Sequence, residues 1–138
     1  MKEMNAVVFD DDDLFRNLCT RIFISKNVHV TVYSSPSLYI CMQPGIETCP
    51  IDVACTNFLL TDNRMPGMTG LKFLDQIKSM DCKIPDCRKA IISGNWLDED
   101  MAEAKKMVSN VFQKSHSKEQ ISEWFENVNR SSARHLSS

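Results

Sequence analysis

FLLTDNRMPGMTG, residues 58–70, is the stretch that decides the fold. Its apolar start predicts a buried strand that ends at Asp62, and the proline and glycines that follow are typical of a loop. Thr69-Gly70 then opens a segment in which apolar residues recur at helical spacing. A buried strand, a loop and an amphipathic helix in succession form the repeating unit of α/β proteins.

The same alternation of short apolar runs and helix-period segments extends along the chain. Five strands are predicted at 6–9, 28–33, 58–61, 90–93 and 111–113. Five helices are predicted, and they begin near Leu14, Ser34, Leu71, Asp98 and Ser117. The second of these helices covers 34–42, and the polar residues 43–56 that follow it predict a long loop.

This order predicts an α/β fold, a doubly wound five-stranded parallel sheet with helices on both faces. Right-handed crossovers between the strands give the order 2-1-3-4-5. The domain is predicted over 1–128, and the polar, Ser-rich segment 129–138 is predicted to be a disordered tail. Ser117 and Gln120 predict a capping box at the start of the last helix.

Composition excludes several classes of protein. A chain of 138 residues with 43 % hydrophobic and 25 % charged residues is typical of one globular domain and not of a disordered protein. The net charge of −2 argues against a nucleic-acid module that relies on a basic field. No apolar run approaches the roughly 18 residues of a membrane span, and the amino terminus is not a signal peptide. We therefore expect a cytoplasmic protein that contacts neither membranes nor nucleic acid.

The spacing of the cysteines predicts free thiols. The six cysteines are Cys19, Cys41, Cys49, Cys55, Cys82 and Cys87. None of them forms a Cys-x-x-Cys pair, which most structural zinc sites contain, and the three histidines are scattered. We expect reduced thiols rather than disulfides or metal ligands.

Polar residues follow four of the predicted strands. Asp10 and Asp11 follow the first strand, Asp62 the third, Ser93 the fourth and Lys114 the fifth. The carboxyl ends of parallel strands lie at one edge of the sheet, where sites of such folds form. Converging carboxylates repel one another unless a cation or proton intervenes, and hard oxygen ligands suit Mg²⁺. With a lysine and a hydroxyl to hold phosphoryl oxygens, the set predicts phosphoryl transfer onto Asp62.

At these landmarks the chain resembles the receiver domains of two-component response regulators. VVFDDDDLFR, residues 7–16, resembles the family's first strand, acidic pair and first helix. The family's phosphoacceptor pattern Asp-x-x-Met-Pro-x-x-x-Gly begins at Asp62 and is matched at every fixed position. Ser93 resembles the switch hydroxyl after the fourth strand, and Lys114 resembles the lysine after the fifth. The resemblance covers about 4–128 and implies the flavodoxin-like receiver fold.

The resemblance also implies roles for these residues. Asp62 would accept a phosphoryl group from a sensor histidine kinase or a phosphotransfer protein. Ser93 and Lys114 would bind the phosphoryl oxygens and pass the change to a protein-interaction surface. The implied Mg²⁺ ligands are the carboxylates of Asp10, Asp11 and Asp62 and the backbone carbonyl of Arg64. The chain would be a phosphoacceptor and not an enzyme, with at most slow self-dephosphorylation, and a dimer that forms on phosphorylation is compatible with this role.

Two positions depart from the family pattern. Ser115 follows the lysine where the family has proline, often after a cis peptide bond. Because a non-proline cis bond costs about 2.5–4 kcal/mol, a trans bond is expected here, with Lys114 aimed differently. Val111 stands where the family has a switching aromatic residue, and a valine cannot make the same change of contacts. Trp96, just past Ser93, is interpreted either as an exposed interaction residue or as an anchor of its loop.

Two other functions remain open at the level of sequence. Asp10 and Asp12 fit the Asp-x-Asp motif of haloacid-dehalogenase-like phosphatases, as nucleophile and general acid. That family needs a further acidic pair on a strand after its lysine, and it leaves Asp62 without a role. The second alternative is a degenerate receiver that binds a partner without phosphorylation, for which Val111 and Ser115 are the only support.

Overall fold

Five parallel strands form a single sheet in the computed structural model, which describes residues 3–137 and the side chains of residues 3–130. The strands are β1 (Met4–Phe9), β2 (Val28–Tyr33), β3 (Phe58–Asp62), β4 (Lys89–Ser93) and β5 (Asn110–Gln113). Their order is β2-β1-β3-β4-β5, and every neighbouring pair is parallel. The predicted sheet is confirmed.

Four α-helices cover the sheet. They are α1 (Asp13–Ile24), α2 (Gly70–Ser79), α3 (Asp98–Met107) and α4 (Ser117–Ser137). Helices α1 and α4 pack on one face, whereas α2 and α3 pack on the other, so the doubly wound arrangement is also confirmed. No helix in the described residues crosses a membrane, since none combines the necessary length with an apolar surface.

Successive residues of the inner strands face opposite layers of helices. In β1, Ala6 and Val8 pack with α1 and α4, whereas Val7 and Phe9 pack with α2 and α3. Side chains alternate along a strand, so a strand that is covered on both faces must be apolar at every position. This is why the inner strands appear in the sequence as continuous apolar runs.

The helix predicted at 34–42 is wrong. The segment forms two short 3₁₀ turns, Pro36–Leu38 and Ile40–Met42, with an extended residue, Tyr39, between them (φ −79°, ψ 152°). The Tyr39 ring is buried, with its centroid 5.1 Å from that of Phe9 and 5.5 Å from that of Tyr33. Placing this ring requires an extended residue in mid-segment, which interrupts a helix. The predicted loop after it is confirmed, because 43–57 contains neither helix nor strand.

Helix α4 continues beyond the predicted end of the domain. Trp124 and Val128 are buried in the core, but the helix extends past Val128 to Ser137, into the segment predicted to be a disordered tail. The described backbone is thus helical over 129–137, and the disorder predicted for the segment 129–138 stays a prediction. Ser138 lies outside the described residues, and the boundary of the domain at Val128 stays a prediction.

Candidate functional site

Three carboxylates meet at the carboxyl ends of β1 and β3. Asp10 and Asp11 directly follow β1, and Asp62 is the last residue of β3. One oxygen from each lies within 4.8 Å of the others. Asp10 and Asp62 are buried, at 0 % and 4 % exposed, whereas Asp11 is open to solvent. The cluster therefore has a buried floor and one exposed ligand, which is a suitable arrangement for a hydrated divalent cation.

Lys114 reaches this cluster from the end of β5. Its Nζ lies 2.8 Å from Asp10 Oδ2 and 3.6 Å from Asp62 Oδ1. The same Nζ lies 4.5 Å from the centre of the Phe15 ring, a contact that favours a cation over the ring face. The Lys114–Ser115 peptide bond is trans, as predicted. The lysine is nevertheless directed at the carboxylates without the family's proline.

Burial makes the carboxylates of Asp10 and Asp62 costly to ionise. Together with the neighbouring Asp10 charge, it raises the pKa of Asp62 to about 6, although the Lys114 ammonium opposes both effects. Burial also raises the pKa of Asp10, against hydrogen bonds from Lys114 and from the Asp12 backbone. One ammonium does not compensate three carboxylates. The cluster therefore favours a further positive charge beside Asp62.

The aspartates that follow β1 have different structural roles. The Asp12 N–H donates to Asp10 Oδ1 at 2.9 Å and so fixes the orientation of that carboxylate. The Asp12 carboxylate in turn accepts from the Leu14 N–H at 3.0 Å and is the N-cap of α1. Asp12 is also the general acid of the phosphatase alternative. Its carboxylate is instead engaged in a structural contact at the start of α1.

Arg16 holds the β1 end of the site, a role that sequence reasoning missed. Its Nη1 donates to the Asp10 carbonyl at 2.6 Å, and its Nη2 pairs with Asp13. The available signal was the spacing of Asp13 and Arg16, which places them on one side of the first helical turn. The guanidinium fastens the end of β1 to α1.

Asn63 closes the loop between β3 and α2. Its N–H donates to the Ile92 carbonyl at 2.9 Å, and its own carbonyl accepts from the Gly70 N–H at 3.0 Å. Its buried side chain accepts from the Leu71 N–H at 3.2 Å, so it satisfies a donor at the start of α2. From the sequence alone, Asn63 is only one of the residues of the loop predicted after Asp62. It is a positioning residue for the adjacent Asp62.

Arg64 lies at the opening of the site with its side chain exposed. Its backbone N–H donates a hydrogen bond to the Asp62 carboxylate, which lowers the pKa of that group and partly offsets the effect of burial. The structure thus brings Arg64 to the cluster, while the role of its carbonyl as a metal ligand stays a prediction.

The strands β4 and β5 bring the remaining predicted residues to the same edge. Ser93 ends β4 and is 1 % exposed, and its Oγ accepts from the Asn95 N–H at 3.3 Å. Strand β4 pairs with β3 so that Ile92 lies opposite Asp62, which places Ser93 one residue further on the neighbouring strand. All five residues predicted from strand ends are therefore assembled at one edge, and their chemical roles stay predictions.

Trp96 is an anchor of the loop that follows Ser93. Its indole Nε1 donates to the Phe112 carbonyl at 2.8 Å, and its half-buried ring packs on the side of the sheet that α2 and α3 cover. Val111 packs on the same side. Of the two interpretations of Trp96, the structure supports the anchor.

The first turn of α4 holds the backbone around Lys114. The Ser117 hydroxyl donates to the Lys114 carbonyl at 2.5 Å, and Gln120 Oε1 accepts from the Gln113 N–H at 2.9 Å. The predicted capping box between Ser117 and Gln120 is therefore not formed. Strand β5 enters α4 through a single 3₁₀ turn, so these side chains satisfy the backbone of the strand end instead.

Comparison with known proteins shows the fold. No protein-family model matches the chain, and no curated protein is similar to it in sequence. Among solved structures, FixJ-N is 21 % identical with a TM-score of 0.72, and the match covers 94 % of this chain and 96 % of that one. A response regulator receiver domain protein from Clostridium thermocellum is 20 % identical with a TM-score of 0.70, over 94 % and 98 % of the two chains.

Two further structures agree. The signal receiver domain of NarL from Mycobacterium tuberculosis is 18 % identical with a TM-score of 0.66, over 94 % of this chain and 98 % of that one. Full-length FixJ from B. japonicum is 21 % identical with a TM-score of 0.71, and the match covers 94 % of this chain but only 59 % of that longer one. The chain has the fold of response-regulator receiver domains.

Proposed function

We propose that this chain, which has the receiver fold, is the phosphoacceptor domain of a two-component phosphorelay. Asp62 takes a phosphoryl group from the phosphohistidine of a sensor histidine kinase or a phosphotransfer protein in the cytoplasm. The observation that carries the proposal is the grouping of three carboxylates within 4.8 Å, with the Lys114 ammonium 3.6 Å from Asp62.

The transfer requires an ionised and accessible Asp62. One carboxylate oxygen forms the new P–O bond while the P–N bond to the donor imidazole breaks, and the electron pair of that bond stays on the imidazole nitrogen. Because the pKa of Asp62 is about 6, the carboxylate is mostly ionised at neutral pH. Lys114, already beside Asp62, is placed to bind an incoming phosphoryl oxygen, and Ser93 lies on the adjacent strand end.

The residues present fit a magnesium ion. Asp10, Asp11 and Asp62 offer three hard oxygen ligands at close spacing, and Arg64 would add its backbone carbonyl. Mg²⁺ supplies, when bound, charge neutralisation between the phosphoryl oxygens and these carboxylates. The chain itself orients the Asp10 carboxylate through the Asp12 N–H and holds the Asp10 backbone carbonyl through Arg16.

A phosphatase is less well supported than a phosphoacceptor. Asp12, its general acid in that alternative, caps α1, while Asp62 occupies the centre of the cluster. The degenerate receiver is disfavoured because Lys114 contacts Asp10 and Asp62 despite Ser115. We infer that the chain does not turn over phosphate esters, beyond slow loss of its own phosphoryl group, and that its output is a change in protein contacts.

Arg64→Ala is expected to shorten the lifetime of the phosphorylated state. Arg64 is exposed two residues after Asp62, so its guanidinium can reach over the site and pair with phosphoryl oxygens. It would then shield the phosphoryl group from water, and it has no capacity as a general base at neutral pH. Since an exposed charge pair is worth roughly 0.2–1 kcal/mol, we expect the lifetime to decrease by a factor of about 1.4 to 5. The lifetime is measured from the decay of the phosphorylated protein, for the unmodified chain and for Arg64→Ala, at the same pH and Mg²⁺ concentration.

The matched control for this measurement is Arg21→Ala. Arg21 is equally exposed but lies in the last turn of α1, at the opposite end of that helix from the site. Its replacement is expected to leave the lifetime unchanged. A lifetime in Arg64→Ala equal to or longer than that of the unmodified chain would show that Arg64 does not shield the phosphoryl group.

A further inference from the structure

Four of the six cysteines line one cavity, far from the aspartate cluster. Cys41, Cys49, Cys55 and Cys82 come from the second 3₁₀ turn, the loop 43–57 and the residues just after α2. The rest of the lining is isoleucine, methionine and tyrosine, with no charged side chain. The spacing of the cysteines concealed this grouping, because the fold and not the sequence brings them together.

The remaining two cysteines lie elsewhere. Cys19 lies on the buried face of α1, and Cys87 is exposed just before β4. The cavity therefore gathers the number of thiols that a tetrahedral thiolate site uses and excludes the others.

The four thiols are close enough to influence one another electrostatically. Burial, together with the neighbouring Cys49, Cys55 and Cys82, raises the pKa of Cys41 to about 11. Cys49 and Cys82 likewise raise the pKa of Cys55 beyond the effect of its burial. Mutual electrostatic influence of this kind requires that the four sulfur-bearing side chains lie close together around the cavity.

Two contacts tie the sulfur-bearing segments to their surroundings. The Cys49 N–H donates to the Met80 carbonyl at 2.7 Å, which fastens the loop to the end of α2 two residues before Cys82. The Tyr39 hydroxyl lies 2.7 Å from Cys55 Sγ, within hydrogen-bond distance, and it would donate to this sulfur in the thiolate form. A hydroxyl that donates to a sulfur is the kind of outer contact that orients a metal-bound thiolate.

We propose that Cys41, Cys49, Cys55 and Cys82 bind one thiophilic metal ion such as Zn²⁺, which fastens the loop 43–57 to α2. Four S–H protons pass to solvent as four metal–sulfur bonds replace bound waters, and no group changes oxidation state. All four are free thiols here, and among the described residues only the aspartate cluster brings three ligand atoms within 4.8 Å. The sulfurs must therefore move together, and the loop that carries Cys49 and Cys55 has no helix or strand to oppose this movement.

Metal titration of the reduced full chain tests the proposal. Zn²⁺ in competition with a chromogenic chelator should give one ion per chain, and Co²⁺ should give the thiolate charge-transfer and ligand-field bands of a tetrahedral site. Cys49→Ser and Cys82→Ser should each weaken Zn²⁺ binding at least 10-fold, and Tyr39→Phe should weaken it roughly 10-fold. Cys87→Ser and Asp62→Asn should bind Zn²⁺ as the unmodified chain does, which separates this site from the magnesium site.

Thiol mapping gives a second readout that needs no variant. In the unmodified chain, a chelator should increase alkylation of the four cavity cysteines and leave that of exposed Cys87 unchanged. Absence of Zn²⁺ binding, equal binding by Cys49→Ser and Cys82→Ser, or a disulfide among the four in protein isolated with thiols trapped would each overturn the proposal.

Discussion

Asp62→Asn is expected to abolish phosphorylation. With acetyl phosphate and Mg²⁺, the unmodified chain should gain the mass of one phosphoryl group, and Asp62→Asn should gain none. The amide has no anionic oxygen to form the P–O bond, and in the proposed arrangement Asp10 and Asp11 serve as cation ligands only, whereas Asp62 is also the acceptor. Intact-mass spectrometry resolves the two results directly.

The matched control is Asp75→Asn, an exposed aspartate on α2 whose replacement should leave the mass gain unchanged. Loss of labelling in Asp62→Asn should not reflect unfolding, because the amide replaces a carboxylate whose burial already raises its pKa to about 6. Its thermal stability in a chelator should therefore equal or exceed that of the unmodified chain. Undiminished labelling of Asp62→Asn would end the assignment of the phosphoacceptor, and labelling that moves to Asp10 would favour the phosphatase.

Gly70→Ala is expected to destabilise the protein by about 1–3 kcal/mol, the usual cost of forcing extra atoms into a packed position. A Cβ at this position would lie 2.4 Å from the Asp62 carbonyl oxygen and 3.1 Å from Asn63 Cα, both of them backbone atoms. The backbone of the loop must shift to make room, and the Asp62 carboxylate shifts with it. We therefore expect slower phosphorylation as well as a lower urea midpoint.

Gly94→Ala is the control for this substitution, because it also adds one methyl group near the site. The nearest atom to its Cβ would be Lys114 Cδ at 3.8 Å, an ordinary van der Waals contact. Its stability should stay within about 0.5 kcal/mol of that of the unmodified chain. Equal urea midpoints for the two variants would show that the loop beside Asp62 accommodates the added methyl group without loss of stability.

The grouping of the residues at strand ends was predictable because the parallel topology alone determines that these ends lie at one edge of the sheet. Apolar runs identified all five strands, and a parallel sheet then brings Asp10, Asp62, Ser93 and Lys114 to one edge whatever the loops do. The two 3₁₀ turns that replace the helix predicted at 34–42 could not be predicted in this way. Their backbone is determined by where the Tyr39 ring packs, and that is a tertiary contact.

The side-chain contacts that hold the backbone around the site could not be predicted from the sequence for a related reason. Asn63 and Gln120 act on backbone groups of other elements, and their partners are defined only after the loop and the strand end have been placed. The cysteine cavity is the clearest example. Cys41 precedes β3 in the sequence and Cys82 follows it, and only the packing of the folded chain brings both to one cavity. Local spacing carries no information about such pairs.

The attachment of α4 to the end of β5 has a mechanical consequence. A helix of 21 residues is about 30 Å long, and Ser117 and Gln120 clamp its first turn to the residues that carry Lys114. Such a helix would act as a lever whose first turn is attached to the proposed phosphorylation site. A tilt of about 5° at the clamp would displace the far end by roughly 2–3 Å over this length. Movement of the lysine by a phosphoryl group would then be amplified at Ser137, along a route that does not need an aromatic side chain at Val111.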